Sequence, residues 1–473
     1  MSAHNIERPV SVNGIKNASG KKFRASWLLI GLGLTGVALL SATAGAILAV
    51  SLSSTPLKQS KLSPEEAAVF NQEKTISYKN LNLPQLSRPV NILVMGTKVL
   101  TSDLEEHEKP QEDLGYHALV NSFKGLSDTM LLLRFDPENE KLTVLSIPRD
   151  TQARIEGYGV RKVNEANYYG GPALAAETVS ELMGGVSIDR YVRVNIQGVE
   201  KLIDALGGVT VYVPKDMKYQ DDSQHLYINL KKGKQHLNGE KAVQFLRFRY
   251  DQFGDISRVQ RQQTFMRALV EQALKPQTLL KIPDILGVVQ SHIDTNLTLE
   301  ELAALAGYAA QTKRSNVQMV LLPGEFSGDG RKQVSYWLPS KRRIQQIATQ
   351  YFDHTPENAS EYGESEEVDP TSLRIAIQDS TDNPEAVRAI VRYLKEAGYR
   401  RVYVSDRWQE PLKVSRIVAQ MGDDGGAAAL HAQLGFGEVL VESTGSLASD
   451  ITIQLGEDWQ QLENSDSERS GSR

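Results

Sequence analysis

Thr129-Met-Leu-Leu-Leu-Arg-Phe135, Asp136-Pro-Glu-Asn-Glu140 and Lys141-Leu-Thr-Val-Leu-Ser-Ile147 decide the fold of this chain. Two apolar runs of strand length flank a segment of turn formers, the pattern of two buried strands joined by a turn. Upstream, Asn91-Ile-Leu-Val-Met-Gly96 reads as another buried strand. Downstream come helical stretches at Gly171–Met183 and Ile196–Leu206, then a strand at Val209–Val213. A polar excursion with Gly233 and Gly239 follows, and then a helix that leads into Arg247-Phe-Arg249. The pattern is helical again through Pro276–Thr312, turns to strand at Val317–Leu322 and ends in a helix at Ser340–Tyr351. Strands alternating with helices predict an α/β fold, a mixed central sheet flanked by helices.

The rest of the chain divides around this region. Its 473 residues are enough for two or three domains. A net charge of -5 argues against a general nucleic-acid binder, and the absence of cysteine excludes a thiolate nucleophile, a disulfide framework and cysteine-ligated zinc. No charged residue lies between Arg24 and Lys58, which predicts one N-terminal transmembrane helix over 25–54. It reads as a signal anchor, although Ala42-Thr-Ala44 leaves cleavage open. Lys16, Lys21, Lys22 and Arg24 place residues 1–24 in the cytoplasm and the bulk of the chain outside the cell membrane. Within the span, Gly31-Leu-Gly33-Leu-Thr-Gly36 matches a dinucleotide-binding spacing, but it lacks the strand, the following helix and the acidic residue that such a site needs. Residues 55–88 read as a stalk, 89–352 as the main domain and 353–370 as an acidic linker carrying Glu357, Glu361, Glu364, Glu366 and Glu367. A small C-terminal α/β domain is expected over 371–459, with strands at Ser372–Ile377, Arg401–Val404 and Ile451–Leu455 and helices at Asn383–Gly398 and Pro411–Leu434, before a disordered tail at 460–473.

The chemistry concentrates in Phe245-Leu-Arg-Phe-Arg-Tyr-Asp-Gln-Phe-Gly-Asp-Ile-Ser-Arg-Val-Gln-Arg-Gln-Gln263. Arg247 and Arg249 alternate about Phe248 with a strand-like period, which points both guanidinium groups to one face. Arg258, Arg261 and Gln262 are spaced for one face of a helix that starts near Asp255. Guanidinium forks converging from two elements make a pyrophosphate clamp. A salt-bridged surface hairpin is the plainer alternative, and four arginines against Asp251 and Asp255 weigh toward the anion site. Three more polar groups fall at strand ends, Asp128 in Leu126-Ser-Asp-Thr129 and the pair in Ser146-Ile-Pro-Arg149-Asp150. Singly these are turn formers or ion pairs; together with the arginines they supply one carboxylate for Mg²⁺ and cations for phosphate oxygens.

In this order, Asn91–Gly96, Ser127-Asp-Thr129, Ser146-Ile-Pro-Arg-Asp150, Lys162-Val-Asn164 with Gly170-Gly171, Asp204–Pro214, Leu237-Asn-Gly239, Arg247-Phe-Arg249 and Asp255…Arg258…Arg261-Gln-Gln263 resemble the LytR-CpsA-Psr family over about Asn91 to Tyr351. The distal domain, with Ile375-Ala-Ile377 and Leu455-Gly-Glu-Asp-Trp459, more loosely resembles the LytR C-terminal accessory domain. The resemblance implies a membrane-anchored transferase. Such proteins take a glycan linked by pyrophosphate to a polyprenyl lipid and join it through a phosphodiester to the peptidoglycan glycan, releasing polyprenyl phosphate. It also implies a groove for the lipid tail between sheet and helices.

Carried over by motif, Asp128 binds Mg²⁺, and Arg149, Arg247, Arg249 and Arg258 grip the pyrophosphate. Lys162, Gln262 and Arg261 assist, Asp255 orients the arginines, and Asp150 stands beside them or serves only as an ion-pair partner. Whether Asp128 or Asp255 removes the acceptor proton stays open. One departure matters: where many members carry an acidic metal ligand, this chain has Lys98, which either replaces part of the metal's charge at the phosphate or leaves Asp103 to supply the ligand. Tyr168 and Tyr169 are candidates for a glycan site, with core packing the expected role of at least one. No metal-binding histidine pair, nucleophile elbow or P-loop is found. Two readings compete with the transferase, a non-catalytic scaffold or regulator that holds polyprenyl-linked glycans and a pyrophosphate hydrolase.

Overall fold

The computed structural model describes residues 57–79, 83–98, 123–222, 226–248, 255–327, 336–355 and 370–462. The expected membrane span, Asp103, Arg249, most of the acidic linker and nearly all of the tail lie outside them. Among the described residues no helix is long and apolar enough to cross a membrane.

The main domain contains β1 (Val90–Lys98), β2 (Leu126–Asp136), β3 (Lys141–Ile147), β4 (Gln152–Ile155), β5 (Gly159–Lys162), α1 (Ala166–Leu182), β6 (Arg190–Asn195), α2 (Ile196–Leu206), β7 (Val209–Val213), β8 (Gly233–Leu237), α3 (Gly239–Arg247), α4 (Asp255–Ala273), β9 (Ile293–Thr295), α5 (Leu299–Gln311), β10 (Val317–Leu321) and α6 (Lys341–Phe352). Six strands form the central sheet in the order β9-β6-β1-β2-β3-β10. It is mixed, because β6 on β1 and β10 on β3 are parallel while the other pairs are antiparallel. Alternate side chains serve two apolar layers. Leu93, Met95, Leu132 and Leu145 pack with Ala176 and Val179 of α1 and Ile344 and Ile347 of α6. On the opposite face Ile92, Leu131, Val144 and Met319 meet Leu305 of α5, Met266 and Val270 of α4, and Leu274 just past the end of α4.

Several elements differ from the sequence reading: β4, β5 and β8 were not expected as strands, and three further differences bear on the site. Arg190-Tyr-Val-Arg-Val-Asn195, not expected as a strand, pairs directly with β1. Two arginines argue against an interior strand, and burial is tolerated because each has a carboxylate partner. Arg190 Nη2 lies 2.7 Å from Glu301, and Arg193 Nε donates to Asp294 at 2.7 Å. Asp294 sits on β9, the short strand that interrupts the helical run expected over Pro276–Thr312. Arg247 is also not on a strand. Asn238 caps α3 by accepting from Lys241 N, buried Ala242 and Phe245 hold one face down, and the helix continues through Arg247 until Phe248 turns extended at φ -61° and ψ 127°. Gly239 allows the close crossing with α2, since a Cβ there would stand 2.1 Å from the Glu200 carbonyl oxygen.

The distal domain folds as β11 (Arg374–Asp379), α7 (Pro384–Glu396), β12 (Arg401–Val404), β13 (Arg416–Val418), α8 (Asp424–Leu434), β14 (Glu438–Leu440) and β15 (Ile451–Leu455). Its five-stranded sheet runs β12-β11-β15-β13-β14 over a core that includes Ile377, Ile390, Ile417 and Ile453. The helix expected from Pro411 begins only at Asp424, because Ile417 is drawn into the sheet opposite Ile453. This domain covers the outer edge of β10, where Met319 N donates to Val441 O at 2.8 Å and Leu321 N to Gln420 O at 2.9 Å. An open strand edge is thereby closed.

Ion pairs complete the contact. Asp450 receives Arg343 at 2.5 Å and Arg374 at 2.8 Å. Burial opposes its ionisation, but the hydrogen bonds from Arg374 and Arg343 outweigh it and hold the carboxyl at about 2. A carboxylate with a depressed pKa stabilises the fold above its unfolded value and ceases to do so as pH falls through the folded one. From pH 5 to pH 2 the protein is therefore expected to lose roughly 2 kcal/mol from this group. Urea unfolding of wild type and Asp450→Asn across that range checks it: the difference between the two should shrink as pH falls.

Candidate functional site

Strand register builds the first part of the site. Met130 pairs with Ile147 in the β2–β3 ladder, so continuing the register two residues outward places Asp128 alongside Arg149. Beyond β3 the chain turns at Pro148-Arg149-Asp150, with Thr151 N and Oγ1 both donating to Pro148 O, at 3.0 and 2.6 Å. Asn164 N donates to Arg149 O at 3.3 Å and Trp337 N to Asp150 O at 2.9 Å, which fix the turn from two sides.

Four charged groups then form a chain. Arg149 Nη1 donates to Asp128 Oδ1 at 2.8 Å, Arg149 Nε lies 3.3 Å from Asp150 Oδ2, and Lys162 Nζ donates to Asp150 Oδ1 at 2.6 Å. All four are partly buried. Two cations and two carboxylates cancel, so the surplus positive charge that phosphate binding requires has to come from other groups. Arg249 and the side chains of Asp255, Arg258 and Lys98 lie outside the described residues. The backbone of Lys98 stands opposite Leu126, just past a register shift between Gly96 and Thr97.

A small cavity of about 40 Å³ opens between this sheet end and α4, lined by Asp128, Arg149, Met130, Ile147, Gln262, Gln263 and Met266 among others. Gln262 thus joins Asp128 and Arg149. Gln263, quoted in the motif but given no role in the sequence reading, is the buried group at the cavity. It is 3% exposed, and neither its Oε1 nor its Nε2 has a hydrogen-bond partner among the described residues. Its signal in the sequence was only its place one residue after Gln262, on a helix whose facing could not be set beforehand.

Arg261 points elsewhere. Its guanidinium is buried beside the Phe248 ring and bonds the Phe248 carbonyl, and burial lowers its pKa to about 10. It ties α4 to the end of α3 and lines a cleft on the other side of the helix, and Arg247 does not line the small cavity. Tyr169 packs against the core and stacks on Tyr158 with centroids 4.1 Å apart, while Tyr168 meets it edge-on.

Behind Asp128 runs a buried relay. Asp294 accepts from Ser60 N at 2.6 Å and from Arg193 Nε at 2.7 Å. Arg193 Nη1 reaches Asn167 Oδ1 at 3.2 Å, and Asn167 Nδ2 donates to Gly125 O at 2.8 Å, immediately before β2. The start of the strand that carries Asp128 is thus anchored to β6 and β9.

Residues 54–353 match the LytR_cpsA_psr family. The chain belongs to the LytR-CpsA-Psr family. Residues 372–459 match the domain described as LytR cell envelope-related transcriptional attenuator. Among characterised relatives of this family member, the regulatory protein MsrR of Staphylococcus aureus strain COL is 36% identical over 173 residues, 36% of this chain and 51% of MsrR. The chain thus spans about half the length of MsrR. A polyisoprenyl-teichoic acid–peptidoglycan teichoic acid transferase, TagU of Oceanobacillus iheyensis, is 32% identical over 276 residues, 57% of this chain and 77% of TagU. The crystal structure of TagV from B. subtilis is 27% identical and superposes with a TM-score of 0.47, covering 57% of this chain and 99% of that one.

Proposed function

We propose that this LytR-CpsA-Psr protein is a membrane-anchored glycopolymer transferase, exposed outside the cell membrane, which moves a glycan phosphate from a polyprenyl pyrophosphate carrier to a peptidoglycan hydroxyl. The observation that carries the reading is the Asp128–Arg149 pair at the mouth of a cavity whose other wall is Gln262 and Gln263 of α4. The lipid has an apolar place nearby. Met266 and Val270 on one α4 face, with Leu274 just past its end, oppose Val94, Leu133 and Val192 of the sheet, and all of them stay only half-buried. An apolar layer left partly open suits a polyprenyl chain.

The acceptor oxygen attacks the phosphorus next to the glycan, the bond from that phosphorus to the bridging oxygen breaks, and polyprenyl phosphate leaves with the electron pair. The acceptor proton passes to a carboxylate, Asp128 or Asp255, and then to solvent. Arg149 stabilises the charge that builds on the phosphoryl oxygens, with Arg249, Arg258 and, from outside the small cavity, Arg247 adding the positive charge that the balanced group lacks. Lys162 holds Asp150, which steadies Arg149.

Among the described residues no group of three carboxylate or imidazole ligands is found. Mg²⁺ commonly takes one or two protein carboxylates and completes its shell with substrate phosphates and water, so Asp128 fits as its protein ligand. When bound, the ion neutralises charge on the pyrophosphate. Lys98, where many members carry an acid, favours a second reading in which the lipid is held without turnover.

Gln263 separates function from stability. Leucine there removes a buried amide without partners among the described residues and is expected to raise unfolding free energy by roughly 1 kcal/mol or more. Transfer should fall at the same time, as measured by phosphate-lipid release beside chemical denaturation. The three readings separate in one assay: polyprenyl phosphate released from the pyrophosphate-linked glycan only when uncrosslinked glycan strands are present supports transfer. Binding without release supports the scaffold, and release without acceptor supports a hydrolase.

A further inference from the structure

On the side of α4 away from the small cavity, the main and distal domains enclose a cleft of about 650 Å³. Tyr212 of β7 and Thr264 of α4 line it from the main domain, and Gln378, Trp408 and Gln409 from the distal one. Interdomain clefts of this size are common ligand sites. Trp408 has Arg267 over its ring at 5.9 Å yet remains partly exposed, and Tyr212 is likewise half-buried. Gln378 is only 4% exposed; its Oε1 is taken by Gln454 Nε2 at 3.2 Å, which leaves the amide nitrogen as the donor to offer.

The cations that line the cleft are already engaged, Lys215 over the Phe248 ring at 5.5 Å, and Asp406 adds a carboxylate to the lining. Arg407 pairs with Asp382 and lies 3.9 Å from Asp379, and Glu410 lies 3.5 Å from Arg267 and 3.7 Å from Lys234. Arg261 holds the Phe248 carbonyl. A polyphosphate polymer needs cations that are not committed in this way, and a lipid tail needs a continuous apolar lining. Aromatic rings interleaved with amides and hydroxyls match the two-sided surface of a pyranose, apolar on its C–H face and polar at its rim.

We propose that this cleft binds a neutral or N-acetylated saccharide strand, with Trp408 and Tyr212 supporting the sugar rings and Gln378, Gln409 and Thr264 bonding their hydroxyl and acetamido groups. The distal domain thereby supplies one wall of a glycan site on the reverse face of the helix that carries Gln262 and Gln263. Only the choice of strand, acceptor glycan rather than donor, rests on the transferase reading.

Calorimetric titration of the full chain in detergent micelles tests it, with the N-acetylglucosamine hexamer in one arm and poly(glycerol phosphate) in the other. The hexamer should bind saturably and the polyphosphate should not, and Trp408→Leu and Tyr212→Leu, one from each wall, should each weaken the hexamer by roughly tenfold or more. Arg149→Ala should bind the hexamer as the wild type does; retained binding with no transfer by either protein would sink the transferase reading and leave the cleft standing. No heat with the hexamer, preference for the polyphosphate, or binding unchanged in both wall variants would overturn the proposal. Should either wall variant unfold early, saturation-transfer NMR on the wild type decides the question. Transfer to the sugar ring protons is expected, and its absence counts against the cleft.

Discussion

Arg149→Ala will lower glycan transfer by about 10²-fold or more, the usual consequence of removing one charge-stabilising donor from a phosphoryl or acyl transfer site. The side chain bridges both carboxylates of the site, at 2.8 Å to Asp128 and 3.3 Å to Asp150, so its loss leaves two acids beside a pyrophosphate without the cation that spans them. Repulsion of the substrate then adds to the lost stabilisation. Arg149→Lys should recover little, because a single ammonium cannot span two carboxylates as the planar guanidinium does. Rates with a synthetic polyprenyl-pyrophosphate oligosaccharide, followed at substrate concentrations below and above KM, would check this. Turnover within a few-fold of wild type would remove Arg149 from the clamp.

The second large effect is on stability. Asp294→Ala is expected to destabilise the fold by roughly 3–5 kcal/mol, because it leaves the Arg193 guanidinium buried without its counter-charge. Both side chains are almost wholly buried, at 5% and 1% exposure. The damage should also reach the site. Arg193 holds Asn167, Asn167 holds the Gly125 carbonyl, and Asp128 follows three residues later. Urea unfolding measures the first consequence; a fall in transfer under conditions where the variant is still folded measures the second. A loss below about 1 kcal/mol would show that solvent reaches the pair, against the burial seen here.

The elements legible in the sequence were those whose side chains state their surroundings plainly. Leu131, Leu132 and Leu145 form runs that only a buried strand explains. β6 was hidden because its arginines are read as surface until Glu301 and Asp294, more than 100 residues away, are known to meet them. The strand assigned to Arg247 failed for a related reason. Two alternating residues cannot outweigh the helix running into them, whose cap and buried Ala242 and Phe245 set the conformation through Arg247. Within the site, Asp128 and Arg149 were legible because strand ends converge by register. The facing of α4 was not, since Arg261 and Gln262 are adjacent in sequence and yet serve opposite sides of the helix. Nor does sequence spacing indicate that the distal domain would seal the edge of β10 and share a cleft with α4.

The central claim, that a glycan phosphate is transferred and not merely held, is tested by incubating the full chain in lipid micelles with a polyprenyl-pyrophosphate oligosaccharide and uncrosslinked peptidoglycan strands, with Mg²⁺ or with EDTA. Mass spectrometry of the digested strands reads the outcome. The account predicts oligosaccharide phosphate attached to the glycan in equal amount to the polyprenyl phosphate released, lost in Arg149→Ala and reduced by EDTA. Tight lipid binding with no attached product in the presence of acceptor and Mg²⁺ would contradict it.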